Sequence, residues 1–261
     1  MRLLWLWLAS GCAFVVTAYP PPEPFPTAMD PMVQGEVEVG GGVRAHGAGG
    51  LSGAGPRLAP LMPGYTPGGG AQLFAGVGVA DGVDIFASVG PDIDGSAYSL
   101  GTSVRVWERD MLRLDLLAGS GMNWVAGEHT DEWTTKEDVD GDGDEEKIDH
   151  THWFTYAYLS FAPTLGARLT VTPHRRWEMP FSFRGSYAFT VPVYGLDNHP
   201  MQQDPWFEGA SSVVWSPVDR LQIGVGWSLL TSEKILGYGG MVYTRASVSL
   251  SGNLNLFGKS K

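Results

Sequence analysis

A two-residue hydrophobic period recurs along most of this chain, and it constrains the fold more than any other feature. Over Asp110 to Gly127, one parity carries Leu112, Leu114, Leu116, Ala118, Met122 and Trp124. The other carries Arg113, Asp115, Gly119, Gly121 and Asn123. Successive strand side chains point to opposite faces, so one face is apolar and the other polar or bare. The same split sets Ala71, Leu73, Ala75, Val77 and Val79 against Gln72, Phe74, Gly76 and Gly78. It sets Tyr98, Leu100, Thr102, Val104 and Val106 against Ser99, Gly101, Ser103 and Arg105. It returns in Leu221, Ile223, Val225, Trp227 and Leu229, and again in Val242, Ala246, Val248, Leu250, Leu254 and Leu256. No stretch carries a convincing amphipathic-helix period.

The pattern predicts about ten strands, near residues 34–45, 70–80, 83–90, 95–107, 111–127, 151–172, 177–192, 206–215, 220–231 and 240–257. The connections alternate in length. Short ones fall at Ala80-Asp81-Gly82, Glu108-Arg109-Asp110, Pro173-His174-Arg175-Arg176 and Pro217-Val218-Asp219. Longer ones fall at 46–69, 128–150, 193–205 and 232–239, and the short link 91–94 is the exception on that side.

Two environments could receive the apolar face. A soluble barrel or sandwich, here a lipid-anchored one, would turn it inward. A membrane barrel turns it out to lipid. Many of the predicted strands have the nine or more residues that a tilted membrane strand needs. The polar face is rich in Gly and Ser, too small and uncharged for an ordinary wet surface. It also carries isolated charges in mid-strand: Glu36, Glu38, Asp84 and Asp115 against Arg105, Arg113, Arg168, Arg184 and Arg245. Inside a narrow barrel these must pair, because a buried unpaired charge costs several kcal/mol. Charged residues make up only 17% of the chain, and mean hydropathy is near zero, as expected when only alternate residues meet lipid. Trp124, Trp153 and Tyr243 fall at outer strand ends and Trp177 at a periplasmic end, where amphipathic rings settle at headgroup level. Trp107 and Trp215 also lie near turns, but their parity does not assign them to that girdle.

The predicted fold is therefore all-β: an antiparallel up-and-down transmembrane β-barrel of about ten strands, within a range of about 8–12. The chain resembles small bacterial outer-membrane β-barrel proteins over residues 34–257. The resemblance rests on alternation, aromatic girdle and loop asymmetry. The segment Arg245 to Phe257 also resembles that superfamily's terminal assembly strand. The likeness implies a cell outer-membrane location, with lipid as the partner of the apolar face and both chain ends on the periplasmic side.

Residues 1–18 read as a secretion signal, with Arg2 before an apolar run that begins Leu3 to Ala9. Leu8-Ala9-Ser10-Gly11-Cys12 resembles a bacterial lipobox, which would lipidate Cys12; Val16-Thr17-Ala18 offers ordinary cleavage before Tyr19. Cys12 is the only cysteine, so no disulfide framework is expected. Residues 19–33, with Pro20, Pro21, Pro22, Pro24, Pro26 and Pro31, read as an extended periplasmic linker.

Net charge is −11, which argues against nucleic acid as a partner. Most of it lies in the acidic outer loop expected at 128–150. There Asp138, Asp140 and Asp142, with Gly143 and Asp149 at the sixth and twelfth positions, resemble the calcium loops of EF-hand and dockerin-type repeats. Asp144 adds a further oxygen ligand. The pattern departs from those loops in ending on Asp, in carrying Glu145 at the eighth position and in lacking flanking helices. Calcium is the one cofactor suggested, and a solvated acidic loop is the alternative. His150 and His152, two apart on one strand, with His129 across the loop, have spacing that can hold a transition metal but more often marks a polar rim. Asp197, His199 and Asp204 imitate part of the acidic and Asp-His sets of outer-membrane proteases, without that family's motifs. No enzyme is expected. The expected role is a structural or surface-loop binding barrel whose loop ligand is not written in the sequence. A narrow channel for small solutes is the alternative, and an outer-membrane enzyme a more distant one.

The lipobox makes a direct prediction. Cells fed labelled palmitate will label the wild-type protein and not Cys12→Ala; an unlabelled wild type would assign cleavage after Ala18 instead.

Overall fold

The computed structural model describes residues 34–50, 68–92, 95–137, 146–194, 202–232 and 241–255. The alternating stretches form ten strands: β1 (Glu36–Gly50), β2 (Gly68–Ala80), β3 (Val83–Asp92), β4 (Gly95–Arg109), β5 (Leu112–Glu137), β6 (Glu146–His174), β7 (Trp177–Tyr194), β8 (Gln202–Val218), β9 (Leu221–Ser232) and β10 (Met241–Asn255). Each strand pairs antiparallel with its neighbours in sequence. The first and last close the sheet into a barrel, their ladder running from Glu36↔Asn255 to Gly50↔Met241. Strand bounds exceed the predicted ones mainly at the ends away from the short turns.

Two-residue turns join β2–β3, β4–β5, β6–β7 and β8–β9, all at the end where β1 begins and β10 finishes. Gly82 has φ +76° in the first turn, where an added Cβ would also meet Arg105 Cβ at 3.0 Å. Its carbonyl accepts the Arg105 N–H at 2.7 Å. Asp110 adopts φ 52° in the second turn, a left-handed geometry that Asp tolerates better than most residues. The Pro173 and Pro217 connections are tighter than predicted. β6 continues through His174 and β8 through Val218, leaving only Arg175-Arg176 and Asp219-Arg220 as turns.

The barrel is inside-out. Leu73, Leu100, Leu116, Leu165, Phe183, Val225 and Leu250 are exposed on its outer wall, while Glu38, Asp84, Asp115, Asn123, Arg184 and Glu208 are buried. In water, leaving each large apolar side chain uncovered would forgo about 1.5–3 kcal/mol of burial free energy. Lipid supplies the missing cover. Rings mark both edges of this surface. Trp177 and Trp215, directly paired across β7 and β8, stack with centroids 6.0 Å apart at the turn end, and both are exposed. Exposed Trp124, Tyr98 and Tyr187 lie toward the opposite end. From Trp177 to Tyr187 along β7 is about 33 Å at strand rise, or about 25 Å along the membrane normal at the usual tilt. That matches the apolar band of an outer-membrane barrel. The chain is thus a closed ten-stranded barrel whose apolar outer wall seats it in a membrane, with its two-residue turns all at one end.

Two aromatic assignments change. The ladder slips between Arg105 and Trp107, so Val106 and Trp107 are both exposed on the lipid side. A bulge inserts one residue and resets the parity beyond it. Trp215 faces out by plain alternation. Both join Trp177 in the girdle at the turn end. Trp153, expected at an outer rim, instead pairs with Thr130 well beyond it.

The inverted polarity predicts heat-modifiable gel migration of the membrane-extracted protein, and a steep response at mid-belt. Val225→Arg will destabilise the barrel in vesicles by about 2–4 kcal/mol, read from urea unfolding; an unchanged midpoint would mean this face does not meet lipid.

Candidate functional site

Two regions concentrate the chain's charge: the barrel interior and the β5–β6 hairpin. The interior charges are set in place by register. Asp115 and Arg168 are direct cross-strand partners on β5 and β6. Arg168 reaches Asp115 Oδ2 through Nη2 at 2.9 Å and through Nε at 3.1 Å. Arg113, two residues before Asp115, approaches the same oxygen at 3.4 Å. It also reaches Glu178 at 3.7 Å and donates to Thr170 Oγ1 at 3.4 Å. This cluster sits near the turn end.

A second cluster lies nearer mid-barrel. Arg184 on β7 faces Glu208 on β8 as a direct ladder partner, with Nη2–Oε2 at 2.7 Å. Arg245 reaches Glu208 Oε1 at 3.6 Å from β10. It passes over β9 at Ser228, its own ladder partner and a short side chain. Arg44 adds a third positive field at Glu208. The stem of Arg184 lies across Gly166, where an added Cβ would come within 2.6 Å of its Cγ. Elsewhere on the inner wall, Gln72 Nε2 donates to Ser88 Oγ, and the Ser88 and Ser99 hydroxyls share a hydrogen bond. Phe74, Phe86 and Leu117 are also buried, with Trp206 and Leu230 closer to the outer end.

Most of the expected network is therefore inside: Glu38, Asp84, Arg113, Asp115, Arg168, Arg184 and Arg245 are all buried. Two members differ. Arg105 lies at the turn-end rim, partly exposed and bonded to exposed Glu108 at 2.7 Å, because the neighbouring bulge ends the interior ladder there. Glu36, first residue of β1, is only half-buried. The sequence reading missed Arg44, Glu178 and Glu208. Arg44 shares the parity of Glu36 and Glu38, which could have revealed it. Glu208 could not be paired with Arg184 without knowing the register.

The hairpin corrects the expected loop. Residues 128–150 are not one loop, because β5 runs to Glu137 and β6 starts at Glu146. β4 stops pairing with β5 at Gly95↔Val125, and β7 stops pairing with β6 at Ala157↔Tyr194. β5 and β6 continue together from Gly127↔Tyr156 to Glu137↔Glu146. This two-stranded ribbon rises about 35 Å past the rim at strand spacing.

Of the calcium set, Asp138, Asp140, Asp142 and Asp144 lie outside the described residues. Asp149 is exposed on β6, opposite Thr134 and set back from the tip. The register puts His152 opposite Asp131 and His150 opposite Trp133, with His129 opposite Phe154. Among the residues whose side chains are described, no group of three metal-ligating side chains forms. Asp197, His199 and Cys12 lie outside the described residues; Asp204 pairs with Ala188 in the β7–β8 ladder.

No family model matches the chain, and no curated protein resembles it in sequence. The likenesses to solved structures are distant. The outer-membrane protease OmpT of Escherichia coli is 8% identical over 84% of this chain and 95% of its own, with a TM-score of 0.47. The attachment invasion locus protein Ail of Yersinia pestis is 7% identical over 85% of this chain and all of its own, at 0.34. The KdgM porin, solved with a disordered oligogalacturonate, is 8% identical over 82% and 98%, at 0.36. The membrane placement stands on the barrel's own inverted polarity.

Removing one charge tests the interior. Asp115→Asn leaves two guanidinium groups facing each other and will cost about 3–5 kcal/mol in vesicle unfolding. Replacing Arg168 as well will recover part of that loss; strictly additive losses would mean the pair is not coupled.

Proposed function

We propose that this barrel is a non-enzymatic membrane platform that displays the β5–β6 hairpin at the cell surface, its acidic tip binding calcium. One observation carries the reading: the two strands keep pairing long after β4 and β7 have stopped. A barrel needs no such extension to span its membrane. The rigid closed sheet below orders the base of the ribbon, so the tip is held far from the headgroups.

Charge supports the second part. Residues 128–149 hold eleven carboxylates and two lysines, against a chain net charge of −11. Near the tip, Glu137 stands opposite Glu146 and Lys136 opposite Lys147. Like charges directly opposed destabilise a ladder, so a bound cation would relieve the carboxylate pair and the Asp138–Asp144 run together. Hard oxygen donors in a solvated loop suit Ca²⁺ rather than a soft metal.

The Ser- and Gly-lined wall is what favours a narrow channel as the second reading. Against it stand the side chains buried inside the barrel: Asp115 with its arginines, Phe74 and Phe86, and Glu208 with Arg184 and Arg245. A ten-stranded barrel is narrow enough for such side chains to fill.

An epitope placed between Gly141 and Gly143 will be labelled by antibody on intact cells; labelling only after permeabilisation would reverse the orientation and end the display reading. Titration calorimetry will give weak calcium binding, with Kd about 10⁻⁴–10⁻³ M, lost in Asp138→Ala/Asp142→Ala. Planar bilayers will show no discrete current steps; salt-dependent steps would establish the channel.

A further inference from the structure

The outer wall of the barrel is not evenly covered. Across β9, β10, β1, β2, β3 and the start of β4 a trough of about 750 Å³ is sunk into the lipid-facing surface. Its cause lies in two small outward positions. Gly41 is the ladder partner of both Leu73 and Leu250, and Ala71 is the partner of Val43. The branched side chains therefore stand as walls around a bare floor. An added Cβ at Gly41 would meet only Leu73 Cδ2 at 3.2 Å and the Gln72 carbonyl at 3.3 Å. The opposite wall of the barrel protrudes instead, with exposed Phe161, Leu165, Phe181 and Phe183.

We propose that this trough holds an acyl chain of an outer-leaflet lipid, the lipid A of lipopolysaccharide. It is continuous with the surface already assigned to hydrocarbon, so its occupant must be apolar over most of its length. Its two ends differ. Ile223 lines the end near the periplasmic turns, two residues from the start of β9. Ser96, on the lipid-facing parity beside the β3–β4 link, lines the other, and it is the one outward polar side chain among the lining residues. An amphiphile fits with its headgroup at Ser96 and its tail descending towards Ile223, the orientation of an outer-leaflet lipid. A second copy of the chain fits worse. A two-fold contact would set trough against trough and leave a void, which forfeits dispersion contacts on both sides. The volume lies within the usual range for a small-ligand site.

Native mass spectrometry tests this on the full-length protein extracted from outer membranes and exchanged into detergent. The wild type will retain an adduct of lipid A mass. Gly41→Phe and Ala71→Phe, each filling the floor from a different strand, will lower the retained fraction about tenfold, equivalent to about 1.4 kcal/mol. Leu165→Phe, on the protruding wall, will leave it unchanged. Heat-modifiable migration identifies any variant that fails to fold, and the other filling variant then decides. A bare wild-type barrel, a phospholipid adduct alone, or undiminished lipid in the folded filling variants would overturn the proposal. So would a dimer peak that the filling variants abolish.

Discussion

Hydrocarbon offers a peptide group no water to bond with, so every backbone N–H and C=O in the membrane needs a partner in the chain. A sheet meets that demand only by closing. Here β1 zips onto β10 along their whole length, and no strand edge is left within the belt. The inverted polarity follows. Once lipid covers one parity, the other parity of every strand is driven into a narrow lumen, whatever its chemistry. The ladder slips cluster at the ends, at Gly78/Ala80, Arg105/Trp107, Val171/His174 and Trp215/Val218 beside the tight turns, and Ala157/Tyr158 towards the other rim. Irregular backbone is cheapest there, where headgroups and water can satisfy it.

Closure sets the rules for the lumen. Charges that would be solvated elsewhere are now buried, and two of the buried acids are each met by more than one guanidinium. Asp115 takes Arg168 and Arg113; Glu208 takes Arg184 and Arg245. The small residues are the complement of this arrangement. Gly166 gives space to the stem of Arg184, and Ser228 lets Arg245 cross a whole strand.

Beyond the rim the constraint reverses. The β5–β6 ribbon stands where water can bond its backbone, and its sequence changes character accordingly: hydroxyls, carboxylates and lysines take over most of the apolar parity. The same alternation that demanded lipid below makes no such demand here. Near its described end, Glu137 stands opposite Glu146 and Lys136 opposite Lys147.

Alternation is a local property, written residue by residue, so the sequence by itself determined strand number, turn positions, the lipid-facing parity and the inward placement of residues such as Asp115 and Arg184. Partnership is not local. Which arginine meets which acid depends on how two strands slide past each other, and only the closed sheet decided that Arg184 meets Glu208. The bulge that turns Trp107 outward was hidden for the same reason, since one extra residue shows only against a paired strand. The hairpin is hidden in the sequence because its polar residues lose the hydrophobic period where lipid ends. Its extended form is held by cross-strand hydrogen bonds, which carry no signature of their own in residue type.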